Sequence, residues 1–403
     1  MGGAVAGLCL DATGSIAWNP ACPVRLDGKW VEVHGTLFDP WRSLSSTVDA
    51  NAFGPGFPSQ TMSGTTVSKR DMSFMPGVAF IYHAKDSNNA FFFAMLAVSG
   101  FGVDYAESTN FSNPILTTQQ PNGFGFGRLR SNYALVKIPL GISRRVNNKL
   151  SVGFALEPAL SMLQVIPAPF VDPVTAGNGG YPYYLPAHNN APAMGFGFAV
   201  GVNYEVNKKV SLGASFDSPV WFMNFNWKSA DLTGAVHNLT FNMDLPLVVT
   251  AGIGWRPNAK TAIGIDTHWF NYSNTAGFDQ IGFDQYGAVK GFGWQNIWAV
   301  GAGIQRQISK ADKIILGYNY SQNPVPDQYA FFNMPAPAIV QHHLSVGYRH
   351  KITATYEINS AYYHAFENSD TSAWYTPAGP VPGTSVTNRM HENSLTIGLS
   401  HHF

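Results

Sequence analysis

Residues 195–206 read GFGFAVGVNYEV. Phe196, Phe198, Val200, Val202, Tyr204 and Val206 take every second place, and Gly195, Gly197, Ala199, Gly201, Asn203 and Glu205 fill the places between. A helix would scatter the two sets around its circumference. A β-strand sends them to opposite faces, one apolar and one small or polar. The alternation returns in Leu245, Leu247, Val249, Ala251, Ile253 and Trp255, in Ile314, Leu316, Tyr318 and Tyr320, in Leu344, Val346 and Tyr348, and in Leu395, Ile397 and Leu399. The faces opposite carry Gly301, Gly303 and Gln305, then Gly317, Asn319 and Ser321, then Ser345, Gly347 and Arg349.

Fourteen such segments are legible, at 29–38, 72–84, 89–103, 128–146, 149–164, 195–206, 210–222, 240–257, 261–273, 295–308, 312–325, 341–352, 354–369 and 392–403. Short polar turns join the second to the third, the fourth to the fifth, and every later pair in that series. The other connections, 39–71, 104–127, 165–194, 223–239, 274–294, 326–340 and 370–391, are long. A soluble sandwich also alternates, but it has no reason to alternate its loop lengths. Outer-membrane barrels do so, with short periplasmic turns and long outer loops. The expected fold is therefore all-β, a 14-stranded antiparallel transmembrane β-barrel over 29–403 with both chain ends at the periplasmic side. The last residue, Phe403, ends a strand with Leu395, Ile397 and Leu399 on one face. Such a terminus is what barrel-insertion machinery reads.

Composition agrees. The 403 residues include 24 Lys plus Arg against 24 Asp plus Glu, and charged residues are 12% of the chain, about half the usual share for soluble domains. With no basic excess, nucleic-acid binding is not expected. Two cysteines cannot build a disulfide scaffold or a four-cysteine zinc site. No apolar run reaches the ~18 residues of a transmembrane helix. His342 with His343, and His401 with His402, are adjacent on strands and face opposite sides, so neither pair chelates as a unit. No metal or cofactor is expected, and no HExxH, P-loop, G-x-S-x-G or Rossmann fingerprint points to an enzyme.

Residues 1–28, MGGAVAGLCLDATGSIAWNPACPVRLDG, lack this alternation and suit a plug, or hatch, inside the lumen. They have neither a basic n-region nor a clear cleavage site, so the signal peptide is expected to be absent from this chain. Cys9 and Cys22 lie close in sequence and admit two readings, a plug-stapling disulfide or two buried thiols.

MGGA at 1–4, DATGSIAWNPA at 11–21, SGFGVDY at 99–105 and LPLVVTAGIGWRP at 245–257 resemble the FadL-type outer-membrane transporters of long-chain fatty acids and other hydrophobic compounds. The resemblance extends over the whole length through strand number and loop alternation. It implies a plug or gate at Asn19, Pro20 and Ala21. It also implies a kinked third strand opening a lateral portal at Ser99, Gly100, Phe101 and Gly102. The chain departs from the family at Cys22-Pro23, where Gly usually follows Asn-Pro-Ala, so the local plug turn is expected to differ. The resemblance further implies that residues preceding MGGA are missing, and with them an N-terminal ligand contact. A monomer in the bacterial outer membrane, among lipid and lipopolysaccharide, is the family expectation.

The third strand, NAFFFAMLAVSGFGV at 89–103, is apolar on both faces. A porin strand has one polar face. Phe93, Met95 and Leu96 are therefore candidate ligand contacts, with burial against the plug as the plainer reading. Phe170 and Val171 in loop 165–194, and Trp221, Phe222 and Phe225 at and within the start of loop 223–239, are candidates to collect a hydrophobic solute. Their plainer role is to pack the loops together. Lys137 and Arg256 are candidate partners for a fatty-acid carboxylate, against the alternative of interior ion pairs with Glu157, Asp217 or Asp266. Expected function is passive uptake of a hydrophobic small molecule, foremost long-chain fatty acids. Monoaromatic hydrocarbons are the alternative within the same class, and a diffusive porin for polar solutes the alternative from another.

Overall fold

The structure, a computed structural model, describes residues 1–70 and 72–403; the side chain of Ser99 also lies outside the described part. Among the described residues, fourteen antiparallel strands close into a barrel. They are β1 (Gly28–Val48), β2 (Ser73–His83), β3 (Asn89–Tyr105), β4 (Leu129–Lys137 and Leu140–Arg145, interrupted at Pro139), β5 (Leu150–Ile166), β6 (Ala187–Glu205), β7 (Val210–Asp217), β8 (Val248–Asn258), β9 (Thr261–Phe270), β10 (Ile297–Gln307), β11 (Asp312–Ser321), β12 (His342–Lys351), β13 (Tyr356–Thr376) and β14 (Gly379–His402). The ring is closed by β1 on β14, with Trp30 opposite His402 and Val48 opposite Thr384.

The period of two sets what faces where. Phe196, Val200, Val202 and Tyr204 of β6 stand exposed on the outer wall, whereas Ala199 and Asn203 are buried inside. Exposed Trp255, Tyr204, Tyr348 and Tyr356 ring the end with the short turns, and Trp221 and Trp298 stand toward the other end. This pair of aromatic girdles is what a barrel in a bilayer presents.

The interior is occupied. Residues 1–27 lie inside it. Helix α1 (Ala12–Trp18) is capped by Asp11, whose side chain accepts from Gly14 N at 2.7 Å. Ala12, Ile16, Val24 and Leu26 pack against inward Ala79, Ile81, Phe92, Ala94 and Leu96 of β2 and β3. The small residues of the inner face are the mould of this segment. A Cβ on Gly153 would lie 1.9 Å from the Pro20 carbonyl oxygen, and one on Gly213 would lie 2.0 Å from that of Ala6. Any larger residue there would push the inserted backbone away. Cys9 and Cys22 are joined by a disulfide within the segment, which selects one of the two readings left open above.

The expected loop 370–391 is a correction. β13 and β14 run on as a long hairpin to the turn at Pro377-Ala378, with Trp374 opposite Val381 and Thr376 opposite Gly379. Pro380 and Pro382 suggest a loop, yet alternation survives through them. β1 likewise extends ten residues beyond its expected end, to Val48, where Met62–Val67 takes over as its outer neighbour.

A closed barrel with a window and two stoppers

β3 carries the irregularity from which the rest of the site follows. Its ladder with β2 runs from His83 opposite Ala90 to Gly77 opposite Leu96 and stops there. On the other side it continues along β4, with Ala97 opposite Val136 and then Ser99 opposite Leu135. One residue, Val98, is therefore extra. A bulge of this kind transfers the inward face from even to odd positions. Before it, Phe92, Ala94 and Leu96 point inward; after it, Phe101, Val103 and Tyr105 do. Beyond Leu96, among the described residues, β3 has no ladder partner on the β2 side until Lys69 N, ahead of β2, donates to the Asp104 carbonyl at 2.8 Å. The result is a window in the wall, bounded below by the β2–β3 ladder and above by residues 68–70. Behind it lies a cavity of about 480 Å³ lined by Phe38, Phe74, Gly100, Phe101, Gly102 and Leu135, among others. Phe101 closes the inner side, stacked on Tyr133 with centroids 4.8 Å apart and edge-on to Phe292 at 6.4 Å.

Phe93 and Met95, expected along the ligand path, stand exposed on the outer wall, because they precede the bulge on the odd face. Leu96 faces inward and packs with the inserted segment. The two-sided apolarity of the third strand thus has two causes, lipid on one face and α1 on the other.

At the end with the long loops, the expected collectors mostly pack on one another. Phe170 stacks on Phe241 at 4.1 Å, and Phe225, Trp227 and Phe222 are buried in the same cluster, with Val171 packed against it. Phe225–Ala230 and Val236–Phe241 form a small hairpin there. The turn of that hairpin is held by Asp231, which accepts from Thr233 and His237; these bonds hold its carboxyl below the usual carboxylate range. Trp221 points outward and is 52% exposed, a girdle position rather than a collector.

An open basin lies elsewhere among the loops. Its volume is about 630 Å³, and Phe53, Phe124, Phe126, Tyr184, Phe331 and Trp374 contribute rings to it. No charged side chain lines it among the described residues. Burial pushes the Tyr184 hydroxyl up to about 12, and it donates to the Gly287 carbonyl at 2.7 Å, so this ring too stays neutral. The sequence signal was available in FGPGF at 53–57 and GFGFG at 123–127, where aromatics alternate with glycine and proline inside long loops.

Below the basin, residues 326–340 cross the mouth of the barrel. Leaving β11 and returning to β12, they place the Pro335 carbonyl against Ser131 Oγ of β4, almost diametrically across the ring. Asn388 of β14 donates to Ala330 O at 3.0 Å, and Asn368 of β13 donates to Ile339 O at 2.8 Å. Phe331 and Phe332 are buried beneath them.

The inserted segment is latched by polar side chains. Asp266 Oδ2 accepts from Val5 N and Ala6 N, each at 2.7 Å, and Arg349 pairs with Asp11. Asn19 donates to Ala6 O and Val202 O, both at 3.0 Å, and accepts from Ala21 N at the same distance. Ser151 Oγ donates to Ala21 O, and Pro20 lies against Gly153. Arg256, expected to meet a carboxylate ligand, donates instead to the Leu8 carbonyl. Lys137 is likewise engaged, with Nζ 2.6 Å from Glu157 Oε2 and 3.5 Å from Asp217 Oδ1. Replacing Lys137 with Met leaves two buried carboxylates without their cation. The expected loss is about 3–5 kcal/mol of barrel stability, read as a lower denaturant midpoint. An unchanged midpoint with weakened ligand binding would mean that Lys137 serves the ligand instead.

A closed antiparallel barrel with an apolar outer wall and aromatic girdles is the form of an outer-membrane protein. The family profile described as "Outer membrane protein transport protein (OMPP1/FadL/TodX)" matches residues 1–402, and the chain belongs to that family. Its members are transport channels of the Gram-negative outer membrane, and that is where this protein resides. Among solved structures it is similar to the Pseudomonas putida toluene transporter TodX at 14% identity (TM-score 0.68, covering 97% of this chain and 94% of that one). It is similar to the Ralstonia pickettii toluene transporter TbuX at 15% identity (TM-score 0.66, 97% and 93%) and to a Pseudomonas aeruginosa FadL homologue at 14% (TM-score 0.69, 99% and 96%). Comparison with curated protein sequences gives no match.

Proposed function

We propose that this protein passively admits long-chain fatty acids or similarly hydrophobic compounds, taking them from the aromatic basin and delivering them sideways through the window between β2 and β3. The observation that carries the reading is that window: a barrel wall with its ladder broken over 97–103 and a cavity directly behind it. Backbone groups without ladder partners are costly in hydrocarbon, so a broken wall in a bilayer needs a use. Lateral exit supplies one, because the solute passes from cavity to lipid without re-entering water. Each buried CH₂ contributes about 0.8 kcal/mol, so apolar contact alone holds a long chain. No covalent step is needed. Residues 1–28 serve as the plug, with Asn19, Pro20 and Ala21 at its contact with the wall, and their movement connects the basin to the window.

Monoaromatic hydrocarbons are the second reading, favoured by a basin built from rings and free of lining charge. Competition binding to the detergent-purified protein, with oleate and with xylene as competitors, decides between them. Displacement by oleate supports the fatty-acid reading and displacement by xylene alone supports the second. Displacement by neither removes hydrophobic transport and returns the polar-solute porin.

A further inference from the structure

The short-turn end of the barrel carries its charge unevenly. The chain as a whole is balanced, with 24 Lys plus Arg against 24 Asp plus Glu. At one place on that end a cavity of about 430 Å³ is lined by charges of both signs, Asp27 and Asp86 with Lys85 and Arg145. Farther round the ring a cavity of about 580 Å³ is lined by Lys208, Lys209, Arg256, Lys260, Lys313 and Lys351, and by no carboxylate among the described residues. The carboxylates nearby are outnumbered. Glu357 Oε1 serves both Lys313 Nζ at 3.9 Å and Lys351 Nζ at 3.8 Å. Glu205 acts on Arg256 but pairs with Arg25 at 3.3 Å, and Asp11 acts on Lys313 but pairs with Arg349. Among the described residues no carboxylate stands within ion-pair distance of Lys208, Lys209 or Lys260. Like charges gathered in this way repel one another, and a negative partner relieves the repulsion.

We infer that this basic mouth docks an extended acidic segment of a periplasmic protein. Short turns lie on the periplasmic side of outer-membrane barrels, so the cavity opens to that compartment. Arg256, Lys313 and Lys351 alternate with outward Trp255, Ile314 and Tyr348, so they face the inside of the ring. A phospholipid headgroup stays outside that wall, whereas a soluble chain in the periplasm reaches the inside. The arc from β8 to β12 is on the order of 20 Å, since neighbouring strands lie about 4.8 Å apart. A single phosphate or carboxylate cannot touch cations spread along it. An extended chain covers the same distance with about six residues. Leu10 of the inserted segment lines the same cavity and Arg256 holds the Leu8 carbonyl, so the docked segment rests against the plug. This surface is independent of the compound that the barrel carries.

The test uses the purified full-length protein, with fluorescein-labelled oligoglutamates of two to twelve residues as probes and fluorescence anisotropy at constant ionic strength as the readout. Folding of each variant is checked by heat-modifiable electrophoretic mobility. Affinity is expected to rise with probe length up to about six residues and then level off. It is expected to weaken steeply with added salt. Lys208→Gln, Lys209→Gln and Lys260→Gln combined are expected to weaken the six-residue probe about tenfold. The matched set Lys29→Gln, Lys85→Gln and Arg144→Gln, at the same end but outside the cavity, is expected to leave it nearly unchanged. Lys208→Glu, Lys209→Glu and Lys260→Glu combined are expected to abolish oligoglutamate binding and to create binding of an oligolysine of equal length, which separates charge recognition from damage to the fold. Absence of oligoglutamate binding in wild type overturns the inference. Equal weakening in the two glutamine sets also overturns it, since that is diffuse attraction to a basic end. Full displacement of the probe by inorganic phosphate at the same ionic strength overturns it and leaves a small-anion site. Loss of probe binding in phosphatidylglycerol nanodiscs, with binding retained in phosphatidylcholine nanodiscs, overturns it in favour of the lipid.

Discussion

Gly100→Trp is expected to lower uptake of a hydrophobic ligand by about tenfold or more while equilibrium binding to the purified protein changes little. An added barrier of only ~1.4 kcal/mol slows a step tenfold, and an indole across a narrow window adds more than that. Gly100 lies in the stretch of β3 that has left the β2 ladder, opposite Ala134 of β4; it is exposed and lines the cavity behind the window. A Cβ there would meet only the Tyr133 carbonyl oxygen, at 3.2 Å, so the wall must yield by a few tenths of an ångström but is not broken. The side chain then stands in the opening. Gly100→Ala adds one methyl group to the same place and is expected to retain most uptake, which separates occlusion from loss of glycine. Uptake in Gly100→Trp equal to wild type, with the variant correctly inserted, would show that ligand leaves by another route.

Much of this arrangement was legible from side-chain periodicity, and the reason is physical. A barrel wall meets lipid on one face, so outward residues such as Val200, Val202 and Tyr204 must be apolar at every second position. The inner face must accommodate inserted backbone, so Gly153, Gly201 and Gly213 recur there. Strand number and loop order therefore follow from the sequence. Orientation within β3 does not, because both its faces are apolar and a single bulged residue, Val98, exchanges them. Phe93 and Phe101 look equivalent as letters; one faces lipid and the other faces the cavity.

Cations and loop aromatics were harder for a different reason. Whether Lys137 is free for a ligand depends on Glu157 and Asp217, which lie on other strands and come within reach only through the closure of the ring. The segment WRSLSSTV at 41–48, by contrast, reads as loop from its Ser and Thr content, yet it continues β1. The loop aromatics divide between a packed cluster and an open basin by tertiary arrangement alone, so Phe225 and Phe124 could not be told apart in sequence.

The two inserted elements also make a prediction about conductance. Residues 1–27 fill the lumen toward the short-turn end, and residues 326–340 cross the mouth at the other. Ions must pass both in turn, and resistances in series add. Deleting residues 1–27 alone is therefore expected to raise single-channel conductance only modestly in planar bilayers. Replacing 327–337 with a short Gly-Ser linker alone should do likewise. Both changes together are expected to give stable conductance of the porin kind, larger than the sum of the two single increments. Since a deletion can impair folding, Asp266→Leu with Arg349→Met offers a milder release of the same plug by removing its acceptor for Val5 N and Ala6 N and the partner of Asp11. Those substitutions should produce flickering openings that become frequent only when the outer stopper is also replaced. A full porin conductance after deletion of residues 1–27 alone would show that residues 326–340 do not obstruct the mouth, and the plug would then be the sole gate.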